Sequence, residues 1–284
     1  MFSAQPIIKG LQYNFVDYLF CGLPREIIRS RVEETHLDYI RALNYSLPRH
    51  LRGFFMEGGV SDFYIVATPI GNYKDITFRA HETLQKVDFV VCESEKEYDK
   101  LFGALGILKK KFVVCSRDNE REATEISYEL LKKGESGALI SDCGTPLFED
   151  PGFELINFLR KKNIKITALP GANSIINALT LVPFRVKEFY FAGFISQKKE
   201  NREKEIDILL KRREAIVLME SPYRLKNILE LLKKKLKSRA LFISYNLTLP
   251  DETLFYGDVV KVEKEIAMKN INKGEYLIII EALR

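Results

Sequence analysis

Ser141-Asp142-Cys143-Gly144-Thr145-Pro146-Leu147-Phe148-Glu149-Asp150-Pro151-Gly152 follows directly on the apolar run Ala138–Ile140 and leads into a helical pattern. Its twelve residues hold two Gly, two Pro, two Asp and one Glu. A plain turn does not need so many special residues; a loop that presents backbone amides and carbonyls to a polar ligand does. A second such segment, Val66-Ala67-Thr68-Pro69-Ile70-Gly71-Asn72, closes the apolar run Phe63–Ala67. Short apolar runs closed by Gly and Pro and followed by helical periodicity read as buried parallel strands feeding loops. Ligands of open α/β sheets bind outside the carboxyl ends of the strands. Both loops are therefore expected to line one pocket.

Working outward, the pattern from Phe63 is strand, loop, helix, repeated. The strand candidates are Phe63–Ala67, Phe89–Cys92, Phe112–Cys115, Gly137–Ile140 and Ile164–Leu169, with helical patterns over Ile76–Gln85, Glu120–Lys132 and Phe153–Lys162. This alternation implies a parallel sheet with right-handed crossovers. The spacing changes near Pro183. Candidate strands Phe189–Phe194, Ala215–Met219, Ala240–Tyr245, Thr253–Tyr256 and Tyr276–Glu281 are unevenly separated, and the short link through Pro250-Asp251 implies an antiparallel pair. The fold class is α/β: a parallel-sheet N-terminal domain at 63–183 and a mixed-sheet C-terminal domain at 184–284, with a ligand cleft between them. Residues 1–62 read as a helical extension. Ile27, Ile28, Val32, Leu37 and Ile40 are spaced for one apolar face, Leu47-Pro48 breaks the pattern, and no chemical motif is visible there.

The chain has 284 residues, 46% of them hydrophobic and 29% charged, and a formal net charge of +5. These values fit a soluble, well-packed protein. Lys109-Lys110-Lys111, Lys198-Lys199, Lys211-Arg212-Arg213 and Lys233-Lys234-Lys235 cluster the positive charge. Such clusters are the footprint expected for a polyanion such as RNA, but charge runs are usually just solvated helix faces, and that plainer reading is preferred. Cys21, Cys92, Cys115 and Cys143 form no CxxC pair, and with His36, His50 and His81 they supply no local ligand pair. No metal site follows, and reduced thiols in a cytoplasmic protein are the simplest account. The N-terminus reads as lacking a signal peptide. No apolar run approaches the ~20 residues that span a bilayer, so no membrane partner is expected.

Neither glycine loop is a GxGxxG dinucleotide fingerprint or a GxxxxGK[ST] phosphate loop, which argues against NAD and ATP. Pro170-Gly171-Ala172-Asn173-Ser174 opens an apolar helix. Its backbone amides could hold a carboxylate, or Asn173 or Ser174 could simply cap the helix. In Glu220-Ser221-Pro222-Tyr223-Arg224, Ser221 as N-cap with Pro222 at the first helical position is a complete structural explanation. The histidines lie outside all these loops, so a His-centred mechanism is not expected.

Together and in this order, Thr68-Pro69-Ile70-Gly71-Asn72 with Asp75-Ile76-Thr77, Ser141-Asp142 with Gly144-Thr145-Pro146, Asp150-Pro151-Gly152, Pro170-Gly171 and Glu220-Ser221-Pro222 resemble the tetrapyrrole-methylase superfamily of class III S-adenosylmethionine methyltransferases. Within it, the chain is most similar to the family that 2′-O-methylates a cytidine ribose of 16S ribosomal RNA. The likeness spans roughly residues 63–284 and is carried by the motifs jointly. It implies S-adenosylmethionine as cofactor, a ribosomal RNA substrate and a homodimer. By position it implies cofactor contacts at Pro69, Gly71, Asp142, Cys143, Gly144, Thr145, Ala172, Asn173, Ser174 and Met219. The chain also departs from the family. Glu93-Ser94-Glu95-Lys96 replaces an acidic Glu-Asp-Thr-Arg run, Ser116-Arg117-Asp118 stands where a His-containing segment precedes Asn119, Tyr223 replaces a His, and Tyr245-Asn246-Leu247-Thr248-Leu249 replaces Arg-Glu-(Leu/Ile)-Thr-Lys.

A sulfonium methyl donor is already reactive, so in-line placement of the acceptor is the main task of such an enzyme. A ribose hydroxyl is a poor nucleophile and benefits from a base. Glu93, Asp142 and Glu220, at the carboxyl ends of expected strands, are the candidates, and each could instead cap a helix or hold a loop. Two other readings stand beside the RNA methyltransferase. One is a methyltransferase of a small tetrapyrrole, against which the missing GAGxGD-type first loop weighs. The other is a non-catalytic S-adenosylmethionine-binding protein.

Overall fold

The computed structural model describes residues 62–269, 271 and 274–283. These belong to one compact unit. The expected helical extension at 1–62 lies, except for Asp62, outside the described residues.

The first sheet holds β1 (Phe63–Val66), β2 (Phe89–Cys92), β3 (Lys111–Val114), β4 (Gly137–Ile140) and β5 (Ile166–Leu169) in the order β3-β2-β4-β1-β5. Every pairing is parallel. β2 and β4 are buried along their whole length. This is why they read as unbroken apolar runs: helices cover both faces of the sheet. One face packs Phe63, Phe89, Val91 and Leu139 against Leu155 and Leu159; the other packs Val66, Val90 and Ile140 against Leu84, Tyr98 and Phe102. β5 begins at Ile166, two residues later than its apolar run, and β3 sits one residue early, at Lys111. In each case the ladder, rather than the end of the apolar run, sets the limit.

The helices between the strands are α1 (Phe78–Lys86), α2 (Glu95–Ala104), α3 (Glu120–Lys132), α4 (Phe153–Lys161) and α5 (Ser174–Leu181), with a 3₁₀ turn at Tyr73–Asp75. Thr77, Ser94 and Asn173 cap α1, α2 and α5 by accepting from the amides of Ala80, Glu97 and Ile176. Asn119 does not cap α3; its Oδ1 accepts from Ser116 N at 2.7 Å. Gly152 stands at the N-cap of α4, and the carboxylate at this helix start comes from α3: Glu120 Oε1 accepts from Gly152 N at 2.9 Å and Glu154 N at 2.6 Å.

The second sheet is β6 (Phe189–Phe194), β7 (Ala215–Glu220), β8 (Leu241–Tyr245), β9 (Thr253–Gly257) and β10 (Tyr276–Ile280), in the order β6-β7-β10-β8-β9. β6 and β7 are parallel and the other pairs antiparallel, including β8 with β9 across the Pro250-Asp251 link. Period-2 alternation divides its side chains between two faces. Ile216, Leu218, Ile243 and Ile278 pack on α6 (Lys199–Leu209), α7 (Pro222–Lys235) and α8 (Val259–Met268). Val217, Phe242, Leu277 and Ile279 instead meet Ile70, Ile175 and Ala178 of the first lobe. This fourth apolar cluster holds the two lobes together, and the glycine loops emerge beside it.

Candidate cofactor cleft and acidic cluster

Register brings the loop-bearing strand ends to one level: Val66 is opposite both Ile140 of β4 and Leu169 of β5. The chain leaves β1 toward β2, past β4, and leaves β4 toward β5, past β1. The two crossovers run in opposite directions and pack on opposite faces of the sheet, α1 on one and α4 on the other, which makes the gap between β1 and β4 the switch point where a crevice opens. The loops lock together across it. Thr68 N donates to Gly144 O at 2.9 Å, and Thr68 Oγ1 donates to Ser141 O at 2.9 Å. Thr145 Oγ1 donates to Ala172 O at 2.9 Å and accepts from Asn173 Nδ2 at 3.1 Å. The segments after β1, β4 and β5 thus form one hydrogen-bonded rim.

Two glycines show why. Gly144 has φ +84°, a left-handed conformation natural to glycine, and a Cβ there would stand 3.0 Å from Ile70 Cγ2. Gly71 is approached by the second lobe rather than left open: a Cβ would lie 2.7 Å from Thr248 Oγ1 and 2.8 Å from Leu247 O. Asn72 N donates to Thr248 Oγ1 at 3.0 Å, completing the bridge. The absence of a side chain at Gly71 thus lets another loop of this chain approach its backbone closely. Thr248 itself holds φ +67°, a strained conformation for a β-branched residue, and such strain persists only where the surroundings over-determine it.

Farther along the long loop, Phe148 meets Phe191 of β6 edge-on at 6.1 Å between ring centroids, and the Glu149 carboxylate abuts the backbone of Gly193. Arg117 Nη2 donates to Glu149 O at 3.1 Å. The loop is clasped at both ends, which explains its length. Pro69 is buried beneath the rim, while Asp142, Thr145, Ala172, Asn173 and Ser174 are partly exposed and Cys143 is exposed. Ala172 from the first lobe and Met219 from the second are both partly buried against the interlobe cluster. Residues expected to share a ligand from opposite domains therefore border one apolar wall.

The three carboxylates singled out in the sequence separate. Glu93 and Asp142, at the ends of β2 and β4, interact with each other and with Asp150. Burial and then Asp150 and Asp142 push Glu93 above the ordinary carboxylate range; burial and then Glu97 do the same to Asp142, with a Ser94 backbone hydrogen bond and Lys100 opposing; burial also raises Asp150, with a Ser141 hydrogen bond and Arg117 opposing it. Glu220 goes elsewhere. It shares its register position with Tyr276 on the face packed by α6 to α8, opposite the face of Met219. Only 3% exposed, it accepts from Arg224 Nε at 2.6 Å and Ser221 N at 2.7 Å. Ser221 stands at the N-cap of α7 but makes no side-chain cap bond; the Glu220–Arg224 pair anchors that turn instead. The sequence reading passed over Asp150 and Arg117 as site residues. The loop's acidic content was a signal for Asp150, whereas Arg117 had none beyond its place after β3. Cys92 and Cys115 are buried, which pushes both thiols up to about 12 and leaves them inert.

Residues 62–262 match the family described as Tetrapyrrole (Corrin/Porphyrin) Methylases. The chain belongs to the tetrapyrrole methylase family. This agrees with the resemblance drawn from the loop motifs. Among its relatives named ribosomal RNA small subunit methyltransferase I, the Haemophilus influenzae protein is 37% identical over 221 residues, covering 77% of each chain. The Leptospira biflexa protein is 34% identical over 76% of this chain and 89% of its own, and the Bacillus subtilis protein 33% identical over 81% and 80%. Solved tetrapyrrole methylases share the fold. A cobalt precorrin-4 methyltransferase superposes with TM-score 0.59 at 17% identity, over 78% of this chain and 94% of that one. The uroporphyrin-III-C-methyltransferase of Thermus thermophilus gives 0.55 at 18%, with the same coverage. Family and named relatives alike are methyltransferases, so this tetrapyrrole methylase is an enzyme of that class.

Proposed function

We propose that the chain is an S-adenosylmethionine-dependent methyltransferase acting on a ribose 2′-hydroxyl of small-subunit ribosomal RNA, built from an N-terminal domain at 63–183 and a C-terminal domain at 184–284. The observation that carries it is the rim of loops after β1, β4 and β5, closed onto the apolar face of the second sheet at the switch point. The residues present fit the cofactor. An apolar wall with partly exposed Met219 and Ala172 suits a purine and a thioether, and the acidic group around Asp142 suits a cationic sulfonium. Pro69, Gly71, the segment Asp142–Thr145, Ala172–Ser174 and Met219 would hold it.

Bound there, S-adenosylmethionine supplies a methyl group that passes to the acceptor oxygen as its carbon–sulfur bond breaks. The protein aligns the acceptor and takes its proton. Glu93 and Asp142 are the carboxylates placed for this, since burial and then neighbouring acids raise their basicity. Arg117, beside Glu93 and Asp150, opposes the rise at those two carboxylates. Glu220 is assigned to the fold.

RNA is favoured over a tetrapyrrole because the relatives at 33–37% identity carry ribosomal names, whereas the tetrapyrrole enzymes resemble the chain in fold at 17–18%. The cytoplasm is the compartment that goes with a ribosomal substrate in this reading. No helix among the described residues is long and apolar enough to cross a membrane. The homodimer belongs to the same reading. Exposed Phe189, Tyr190 and Phe194 on the edge strand β6 offer it a surface, and sedimentation reads the outcome. The decisive experiment is transfer of tritiated methyl to RNA from a strain lacking the gene, with mapping of the modified nucleotide. Normal cofactor binding without methylation of any RNA overturns the substrate assignment.

A further inference from the structure

The formal charge of +5 is not spread evenly along the chain. In the second lobe, 184–284, Lys and Arg number 21 against 15 Asp and Glu; in the first, 63–183, they number 16 against 17. The excess gathers at one end of the second sheet. β7 and β8 both run antiparallel to β10, and Ile280 is opposite both Ile216 and Leu241, so β7 and β8 start at the same end. Gly257, opposite Leu241, closes β9 there. Lys211-Arg212-Arg213 precedes β7, while Lys233-Lys234-Lys235, Lys237 and Arg239 precede β8. Two basic runs that are separate in sequence thus meet in space. At ~3.3 Å per residue, the five residues of β8 set this end about 15 Å from the Leu247–Leu249 loop at the crevice.

Arg239 fixes the arrangement. It is 7% exposed; Nη1 donates to Arg212 O at 3.0 Å, Nη2 to Glu214 O at 2.6 Å, and Nε to Glu281 O. Its guanidinium is spent on backbone carbonyls and pins the turn before β7 to the turn before β8. Beside it lies a hollow of about 430 Å³, open to solvent and lined by Lys233, Lys237, Ser238 and Arg239. Asp258 borders it too, with its carboxylate accepting from Lys261 N at 2.9 Å. Some of the charge is matched: Arg212 pairs with Glu214, Lys233 with Glu263 and Lys235 with Asp207. Lys211, Arg213, Lys234 and Lys237 are exposed and form no ion pair among the described residues. A solvated helix face relieves such repulsion with interspersed acids, as α6 does with Glu200, Glu203 and Glu205. Here the frame holds the cations together without that relief, which a polyanion supplies. We propose that this end of the second lobe is a docking surface for the phosphate backbone of the RNA substrate, outside the crevice in which methyl is transferred. The surface rests on the RNA reading made above and adds to it the place where backbone flanking the target nucleotide is held. Cations on a fixed frame lose little freedom on binding, and each phosphate they neutralise releases counterions.

The test is filter binding, across a salt series, to 16S ribosomal RNA from a strain lacking the gene. It compares the full chain, the triple variant Lys211→Gln/Lys234→Gln/Lys237→Gln, and Lys133→Gln/Arg160→Gln/Lys161→Gln, which removes the same charge from exposed positions of the first lobe. The second-lobe variant is expected to bind about tenfold more weakly near 0.1 M salt, with the slope of log affinity against log salt shallower by about two. Its affinity for S-adenosylmethionine and its melting temperature are expected to match the wild type, because the three side chains touch neither crevice nor core. RNA binding equal to the wild type overturns the surface and leaves the RNA reading standing. Equal losses in the two variants overturn it as well, since net charge alone then sets the affinity. Weaker binding with a lowered melting temperature overturns it, because the lysines then serve the fold. Weaker binding to the intact small subunit with unchanged binding to naked RNA also overturns it, the partner there being a protein. A wild-type chain that transfers methyl to no RNA overturns the RNA reading and the surface with it.

Discussion

Asp142 and Glu220 each stand at the end of a central strand, yet parity and neighbours give them different chemistry. Asp142 faces other carboxylates at the mouth of the crevice, while Glu220 is sealed against Arg224 with one oxygen unpartnered. Arg224→Ala leaves a buried, uncompensated carboxylate and is expected to lower stability by about 3 kcal/mol, read from the urea midpoint at constant m-value. The acidic group predicts a pH dependence of opposite sign to that of a salt-bridged carboxylate. Glu93, Asp142 and Asp150 titrate above their ordinary values in the folded chain. Their contribution to stability is thus most favourable when they are protonated and declines as pH rises through the raised values. Glu93→Gln should flatten the fall of melting temperature between about pH 4, the ordinary carboxylate value, and neutrality. A cationic ligand favours the ionised cluster, so S-adenosylmethionine affinity should weaken on acidification through the same window. Asp142→Asn should weaken the affinity at neutral pH and reduce that pH dependence, both read by titration calorimetry.

At the scale of elements, the loops are shaped by one another more than by their own sequence. Gly71→Ala would drive a Cβ to 2.8 Å from Leu247 O and 2.9 Å from Leu249 Cγ, so backbone must move. A loss of roughly 1–3 kcal/mol is expected, with cofactor affinity falling as the bridge from Asn72 to Thr248 opens. Thermal melting and calorimetry on one preparation check both. The strands were legible because β2 and β4 are buried on both faces and therefore apolar throughout, and because Gly and Pro mark their ends. Asn173 was legible as a cap because its side chain acts within three residues. The failed cap at Ser221 was not legible, because Glu220 takes the Ser221 amide while pairing with Arg224. That arrangement depends on α7 being seated on the sheet.

Across the whole molecule, the basic runs are less free than their count suggests. Lys109 pairs with Asp99, Lys111 with Glu135, Lys233 with Glu263 and Lys235 with Asp207, whereas Lys198, Lys211, Arg213 and Lys234 form no ion pair among the described residues. RNA affinity should fall with added salt, and Lys109→Gln or Lys111→Gln should change it by less than about twofold; filter binding across a salt series tests both. The chain by itself determined the α/β alternation, the change from parallel to mixed sheet, the capped helix starts and the family, since each is written in residues close together or in the order of motifs. Only the tertiary structure decided which carboxylates meet and that the Leu247–Leu249 loop of the second lobe closes onto Gly71. The physical reason is separation along the chain. Thr68 reaches Ser141 over 73 residues and Asn72 reaches Thr248 over 176, and no local pattern encodes the register of strands and loops brought together from so far apart.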